Sequence, residues 1–365
     1  MARAIELARR AENQTEPNPM VGALLVSGTG EILSEGWHHL AGKPHAEVNA
    51  LADWDQVPAD STLYVTLEPC NHQGRTPPCT QLILEKGVKN LVVGSLDPNP
   101  QMSGKSLDWL RSQGVAVQQG PLAQACYALN RVFNKQMLQK LPYVSAKAAV
   151  SLDGRIATAT GQSQWITGPE ARAAGHRLRS AHQAIGVGAA TLNQDDPQLT
   201  DRHSDRPRNP VQVVFSTLGE LNPSARFFQP REGVRKVILL GSRVLPARVR
   251  EFEALGVDCL VASTPQIPPR WALEQLFGLG LVSLLLEGGA ALIAGFLKAD
   301  MVDRWCLFYA GLVMGQSSAP GFAGDAGLGQ NLSDLPRWHL GGVERLGPDL
   351  GLEYYRRIED VYRID

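Results

Sequence analysis

The chain has almost no net charge: 35 Lys and Arg stand against 36 Asp and Glu in 365 residues, a formal charge of −1. Without a surplus, and without any basic block, there is no field to hold a phosphate backbone, so nucleic acid is not an expected partner. Long apolar runs are missing too. The most apolar stretch, residues 281–286, is stopped by Glu287-Gly-Gly289, far short of the roughly 20 residues of a membrane span. The opening Met1-Ala-Arg-Ala-Ile-Glu-Leu-Ala-Arg-Arg10 interleaves charges and lacks a signal peptide's apolar core. Cysteine is scarce and odd in number, at Cys70, Cys79, Cys126, Cys259 and Cys306. That set builds no disulfide framework and fits a reducing compartment, so a soluble, cytoplasmic protein without a membrane partner is expected. What is present is ordinary for a globular chain. Hydrophobic residues at 44% and charged residues at 19% exclude wholesale disorder. The length suggests two domains at about 150 residues each.

Strand and helix signals alternate through the first third. Helices are expected over 2–12, 46–54, 80–86 and 106–113, and strands over 21–27, 32–37, 63–67 and 91–95. Such alternation implies a three-layer α/β domain with a mostly parallel sheet. A mainly helical stretch, 122–140, runs to Leu141-Pro142, where the proline interrupts it. The boundary belongs there, giving domains 1–141 and 142–365. A second α/β series follows, with strands at 143–150, 184–188, 211–215, 236–240, 259–262, 283–286 and 305–309, and a closing hairpin in 339–356. No repeat relates the halves, so two different domains are expected. Cys259 and Cys306 lie in strand-like runs and read as small buried hydrophobes.

The sharpest chemical signal is His45-Ala-Glu47, then Glu68-Pro-Cys70, then Cys79. One imidazole and two thiolates suit zinc, balance its charge and leave a fourth tetrahedral position for water. His45 and Cys79 each follow a proline at an expected helix start, where the helix end favours a thiolate. Glu47 is better placed as a proton carrier than as a fourth ligand. The order His-x-Glu, Pro-Cys, Cys is that of zinc deaminases, whose Glu moves protons from zinc water to the leaving amine. Eight residues separate the cysteines here instead of two. The other reading is a structural zinc half-site completed by His72, which leaves Glu47 and Pro69-Cys70 without a purpose.

With Pro17-Asn-Pro19, Val21-Gly22, Pro44-His-Ala-Glu47 and Thr66-Leu-Glu-Pro-Cys-Asn-His-Gln-Gly-Arg-Thr-Pro-Pro-Cys79, the first half resembles the bifunctional deaminase–reductases of riboflavin biosynthesis. The second half matches through Ser151-Leu-Asp-Gly-Arg155, Ser163-Gln-Trp-Ile-Thr167, Asp195-Asp-Pro-Gln-Leu-Thr-Asp-Arg202 and Glu287-Gly-Gly289. The resemblance implies an α/β protein: a cytidine-deaminase-like α/β/α domain followed by a dihydrofolate-reductase-like α/β domain. It implies zinc on His45, Cys70 and Cys79, with Glu47 catalytic. The implied substrate is a small phosphorylated pyrimidine, a diamino-ribosylamino-pyrimidinone phosphate. Its 2-amino group would be hydrolysed first, and its ribosyl group then reduced to ribityl with NADPH. Asn18 would contact the pyrimidine, and His72 and Arg75 would reach the phosphate, with a solvated loop arginine as the alternative for Arg75. NADPH contacts fall on Ala149, Trp165, Thr191, Asp195, Ser216 and the run from Gly289 to Gly295. Substrate contacts fall on Ser163, Arg179, Leu199, Arg202 and Glu287. The residue types agree, since arginine forks suit phosphate and glycines let a pyrophosphate approach a helix N-terminus. A homo-oligomer is also expected.

Lys147 is a candidate proton donor or an edge lysine, and no general acid is assigned in the second half. Gly311-Leu-Val-Met-Gly315 departs from the family's pattern, which bears on the local loop and the oligomer contact, not on the chemistry. Competing readings are a deaminase with a degenerate second half, a non-catalytic metal- and nucleotide-binding regulator, and a nucleic-acid editing enzyme. Asp195, Arg202 and Glu287 speak against the first, Glu47 against the second and the neutral charge against the third.

Overall fold

The computed structural model describes residues 1–72, 77–201 and 209–361. The chain divides into two compact units, Met1–Lys140 with the segment from Ile358, and Leu141–Arg357. The first unit runs α1 Ala2–Arg9, β1 Gly22–Val26, β2 Ile32–Trp37, α2 Ala46–Ala50, β3 Thr62–Leu67, α3 Cys79–Glu85, β4 Asn90–Ser95, α4 Lys105–Ser112, β5 Ala116–Gln119, α5 Ala123–Leu129 and α6 Arg131–Gln139. Its sheet has the order β2-β1-β3-β4-β5. The pairings β3/β4 and β4/β5 are parallel, but β1 is antiparallel to both β2 and β3. Four of the five strands thus run in one direction, as expected, and β1 alone is reversed, which makes the sheet mixed. The Ser27–Glu31 turn closes with a backbone bond of 2.8 Å and is too short for the crossover a parallel pair needs.

β3 is a run of β-branched, aromatic and aliphatic residues, Thr62-Leu-Tyr-Val-Thr-Leu67, placed in the middle of the sheet. Leu63 and Val65 join Leu25, Ile83, Leu91, Val93 and Leu110 in the core. Directly beyond β3, Glu68 is buried and takes four hydrogen bonds: from the backbone of Asp97, Gly104 and Ser106 and from Ser106 Oγ, at 2.6–3.2 Å. These bonds tie the loop after β4 to the strand end that carries Cys70. β5 has no counterpart in the sequence expectations, because three of its four residues are exposed on the sheet edge and leave no apolar pattern. The expected helix over 122–140 is two helices that meet at Asn130.

The second unit runs β6 Tyr143–Val150, α7 Pro169–Ser180, β7 Ala184–Gly188, α8 Ala189–Asp195, β8 Val211–Ser216, β9 Lys236–Leu240, α9 Pro246–Ala254, β10 Asp258–Val261, α10 Pro269–Gly278, β11 Ser283–Leu286, α11 Ala290–Lys298, β12 Arg304–Tyr309, β13 His339–Leu346 and β14 Asp349–Tyr355. Nine strands lie in the order β10-β9-β8-β7-β11-β6-β12-β14-β13. Pairing is parallel from β10 through β12 and antiparallel in the hairpin β13–β14. Separate apolar clusters include Leu284 and Leu286 in one and Ile185, Val187 and Val214 in another. Central strands covered on both faces read as continuous apolar runs, which explains why they were plain in the sequence. Cys306 is buried as expected, whereas Cys259, on edge strand β10, is half-buried.

Candidate active sites

In the first unit, β3 and the starts of α2 and α3 bring three donors together. His45 stands at the N-cap of α2, Cys79 opens α3 behind Pro78, and Cys70 lies three residues past β3. Nδ1 of His45 and the two Sγ atoms lie within 4.8 Å of one another. His45 Nδ1 is 3.2 Å from Cys79 Sγ and 3.6 Å from Cys70 Sγ. Zinc bonds of about 2.0–2.3 Å put neighbouring ligand atoms roughly 3.5–3.8 Å apart on a tetrahedron, so the donor set fits zinc. The thiol of Cys79 and the His45 ring pull the Cys70 thiol down to about 4, while that same contact with Cys70 pushes Cys79 up. Zinc binds cysteine as thiolate, so a divalent cation seated here would displace thiol protons. Glu47, on the first turn of α2, is buried and reaches Cys79. Burial raises its pKa above the usual carboxylate range, as a group that must both take and give a proton near neutrality requires.

His38, a residue the sequence reading did not single out, stacks its ring edge-on against His45 at 5.5 Å and bonds Asn18. Its only sequence signal is its place just after a strand. His72 is exposed at the start of the insert, and its charge acts on Asp97. Arg75 lies outside the described residues.

The second unit carries a cleft of about 1060 Å³. It gathers Ala149, Ser163, Trp165, Arg179, Thr191, Asp195, Leu199 and Glu287, eight of the expected contacts, from β6, α7, α8 and neighbouring loops, among them the one that follows β11. Ser163 hydrogen-bonds Asp195, and burial raises that carboxyl's pKa. Trp165 is 71% exposed, and the Arg172 guanidinium lies 4.8 Å over its ring. A side chain at Gly288 would come within 3.0 Å of Thr191, and one at Gly289 within 3.3 Å. With φ of 152° and 72°, this turn into α11 accepts only glycine. Gly295 lines a separate cavity of about 590 Å³ on α11. Ser216 is buried at the end of β8 and is not among the residues that line the cleft. Arg202 lies outside the described residues.

Arg179 does something its residue type did not announce. Nε and Nη2 make a fork onto both Glu287 oxygens at 2.8 and 2.6 Å, and Nη1 donates to the Thr200 carbonyl at 3.0 Å. The pair is largely buried, at 17% and 6% exposure. Despite that burial, the Arg179 charge leaves the Glu287 carboxyl below its usual range. Lys147 also lines the cleft and feels the Glu287 charge, and burial lowers its pKa. Alternation along β6 puts Lys147 on the face of Ala149, both half-buried. That period-two pattern was the available signal for it.

Residues 1–95 match the cytidine and deoxycytidylate deaminase zinc-binding region, and residues 142–352 match the RibD C-terminal domain. The chain is 37% identical over 368 residues to the riboflavin biosynthesis protein RibD of Bacillus amyloliquefaciens, covering 100% of this chain and 98% of the relative. Among solved structures it resembles a diaminohydroxyphosphoribosylaminopyrimidine deaminase/5-amino-6-(5-phosphoribosylamino)uracil reductase from Thermotoga maritima, at 33% identity and a TM-score of 0.81 over 97% of each chain. It also resembles the RibD of Acinetobacter baumannii, at 34% identity and a TM-score of 0.83 over 97% of each chain. A zinc-type donor set beside a buried carboxylate in one unit and a nucleotide-sized cleft in the other meet these matches over the whole chain, which belongs to the RibD family, the bifunctional deaminases and reductases of riboflavin biosynthesis that work with zinc and NADPH.

Proposed function

We propose that residues 1–141 hydrolyse the ring amino group of a diamino-ribosylamino-pyrimidinone 5′-phosphate to a carbonyl, and that residues 142–365 then reduce the product's ribosyl group to ribityl. The observation that carries the first step is the convergence of His45, Cys70 and Cys79 around a point that the buried Glu47 adjoins. These three residues would hold zinc, which when bound supplies a Lewis acid that brings water's pKa towards neutrality. Glu47 accepts the proton the attacking water gives up and passes it to the departing amine. Asn18 contacts the pyrimidine.

In the second unit NADPH supplies the hydride, and the chain's own task is to place two carbons in contact. Trp165 is a flat wall, Ala149, Thr191 and Asp195 with the Gly288-Gly289 turn into α11 hold the dinucleotide, and Ser163, Leu199, Arg202 and Glu287 hold the substrate. Ser216 and Gly295 lie outside the cleft and are assigned no contact. Glu287, kept ionised and oriented by Arg179, accepts from ribose hydroxyls. Lys147 gives the proton that the sugar oxygen needs when its bond to the reduced carbon breaks. We also assign a homo-oligomeric state and a cytoplasmic location. Exposed Leu340, Val343 and Leu350 on the β13–β14 hairpin support the former, and five free cysteines the latter. Among the described residues no helix is long and apolar enough to cross a membrane.

The test follows ammonia and NADPH absorbance together on the zinc-loaded protein. Ammonia released without NADPH, with NADPH consumed only after deamination, is the expected result. Ammonia with no NADPH oxidation would remove the second step, and neither signal with zinc bound would remove the substrate.

A further inference from the structure

Beside the zinc donors lies a hydrogen-bond relay that proton transfer does not use. His38, one residue beyond β2, is 3% exposed. Its Nδ1 is 3.0 Å from the carbonyl oxygen of Pro44. A carbonyl only accepts, so Nδ1 carries the hydrogen, and Nε2 of the neutral ring keeps its lone pair. Asn18 Nδ2 lies 3.2 Å from that Nε2 and must be the donor there. The NH₂ end of the amide is thereby committed to His38. The carbonyl end, Oδ1, has no protein partner among the described residues.

The backbone around Asn18 is held independently. Asn18 N–H donates to Thr15 at 2.8 Å, and Gln136 donates to the Pro17 carbonyl at 2.8 Å. The Asn130 amide pairs with both the N–H and the carbonyl of Met20, at 2.7 and 2.9 Å. The main freedom left to Asn18 is rotation of its side-chain amide, and His38 removes it.

We propose that His38 is a positioning residue that sets the ring specificity of the zinc site, by leaving Asn18 Oδ1 as the one end of the amide open to a ligand. Asn18 is then an acceptor for a pyrimidine edge that offers N–H, such as an amino group or a protonated ring nitrogen. It disfavours an edge that offers a lone pair, since two acceptors facing each other leave both unpaired. The proposal rests on the deaminase reading of this site.

The test uses the full-length, zinc-loaded enzyme. KM for ammonia release is measured, together with Kd for the pyrimidine phosphate in a Glu47→Gln background, so that binding is read even without turnover. Zinc content serves as the folding control for the first unit, and reduction of the deaminated product as that for the second. His38→Leu is expected to raise KM and Kd about tenfold with zinc content and reduction unchanged. His38→Gln, whose one amide can donate to Pro44 and accept from Asn18, should recover most of that loss. His38→Leu combined with Asn18→Ala should be no worse than Asn18→Ala alone. Losses that multiply in the double variant, or zinc lost from His38→Leu while reduction persists, would overturn the proposal and make His38 a support of His45. Absence of ammonia from the unmutated enzyme removes the deaminase reading by itself, and the Kd series still decides the role of His38.

Discussion

The candidate sites of the two units are built by different means. The zinc donors of the first come from two helix starts and one strand end, with His45 and Cys79 only 34 positions apart. The cleft of the second draws Ala149, Trp165, Arg179, Asp195 and Glu287 from elements spread along most of its length. A metal needs three donors at short, directional distances, so its site is compact. A dinucleotide and a sugar phosphate need a long wall with a few polar groups, so theirs is distributed. One changed atom should therefore silence the first site without unfolding it, whereas the most central pair of the second is also part of its stability.

The largest effect is expected from Glu47→Gln. Ammonia release should fall roughly a thousandfold, with zinc retained and reduction of the deaminated product unchanged; zinc loss on metal analysis would make Glu47 a ligand. Next in size is Arg179→Met. It leaves the Glu287 carboxylate buried without its partner, and about 3–5 kcal/mol of stability should be lost from the second unit in denaturant titration. Arg179→Met with Glu287→Met should regain most of it, and a double variant as unstable as the single would show that the pair is not what matters.

A smaller effect separates the units by pH. His182 is buried in the second unit, donating from Nδ1 to the Leu178 carbonyl at 2.6 Å and accepting at Nε2 from Ser145 at 2.8 Å. Burial, helped by the Arg304 charge, lowers its pKa to about 4. An unfolded imidazole titrates near ~6.5. Between those values the unfolded chain binds a proton that the folded chain refuses. Stability is complete above the unfolded value and falls as pH drops towards the folded one, by on the order of 3 kcal/mol. His182→Gln should flatten that part of the stability–pH curve, and an unchanged slope would locate it elsewhere. Smallest is Trp165→Ala. The ring is largely exposed, so its loss should raise the KM for NADPH about tenfold and leave stability within about 0.5 kcal/mol.

The same contrast explains which residues could be read in advance. His45, Glu47, Cys70 and Cys79 were readable because their types are rare and their spacing is chemical. Most expected contacts of the second unit do meet in one cleft, yet they came from resemblance, since Ala149 or Leu199 carries no chemistry of its own. Arg179 was read as a phosphate fork because an isolated guanidinium suits a phosphate. Nothing local in the sequence says that Glu287, 108 positions away, occupies both tines. The parallel expectation for the first sheet failed only at β1, because no helix separates it from β2 and the short Ser27–Glu31 turn makes that pair antiparallel.

Composition and pattern by themselves determined that the chain is two unlike α/β units, where most of their strands lie and that His45, Cys70 and Cys79 form one metal-type donor set. These follow from local rules: periodicity, proline and the spacing of metal donors. The tertiary structure alone decided what each polar group faces: Arg179 on Glu287, Lys147 in the cleft with Glu287, and Asn18 held by His38. Burial makes those pairings obligatory, because a polar group removed from water must find a partner, and which partner it finds depends on the fold and not on its neighbours in sequence.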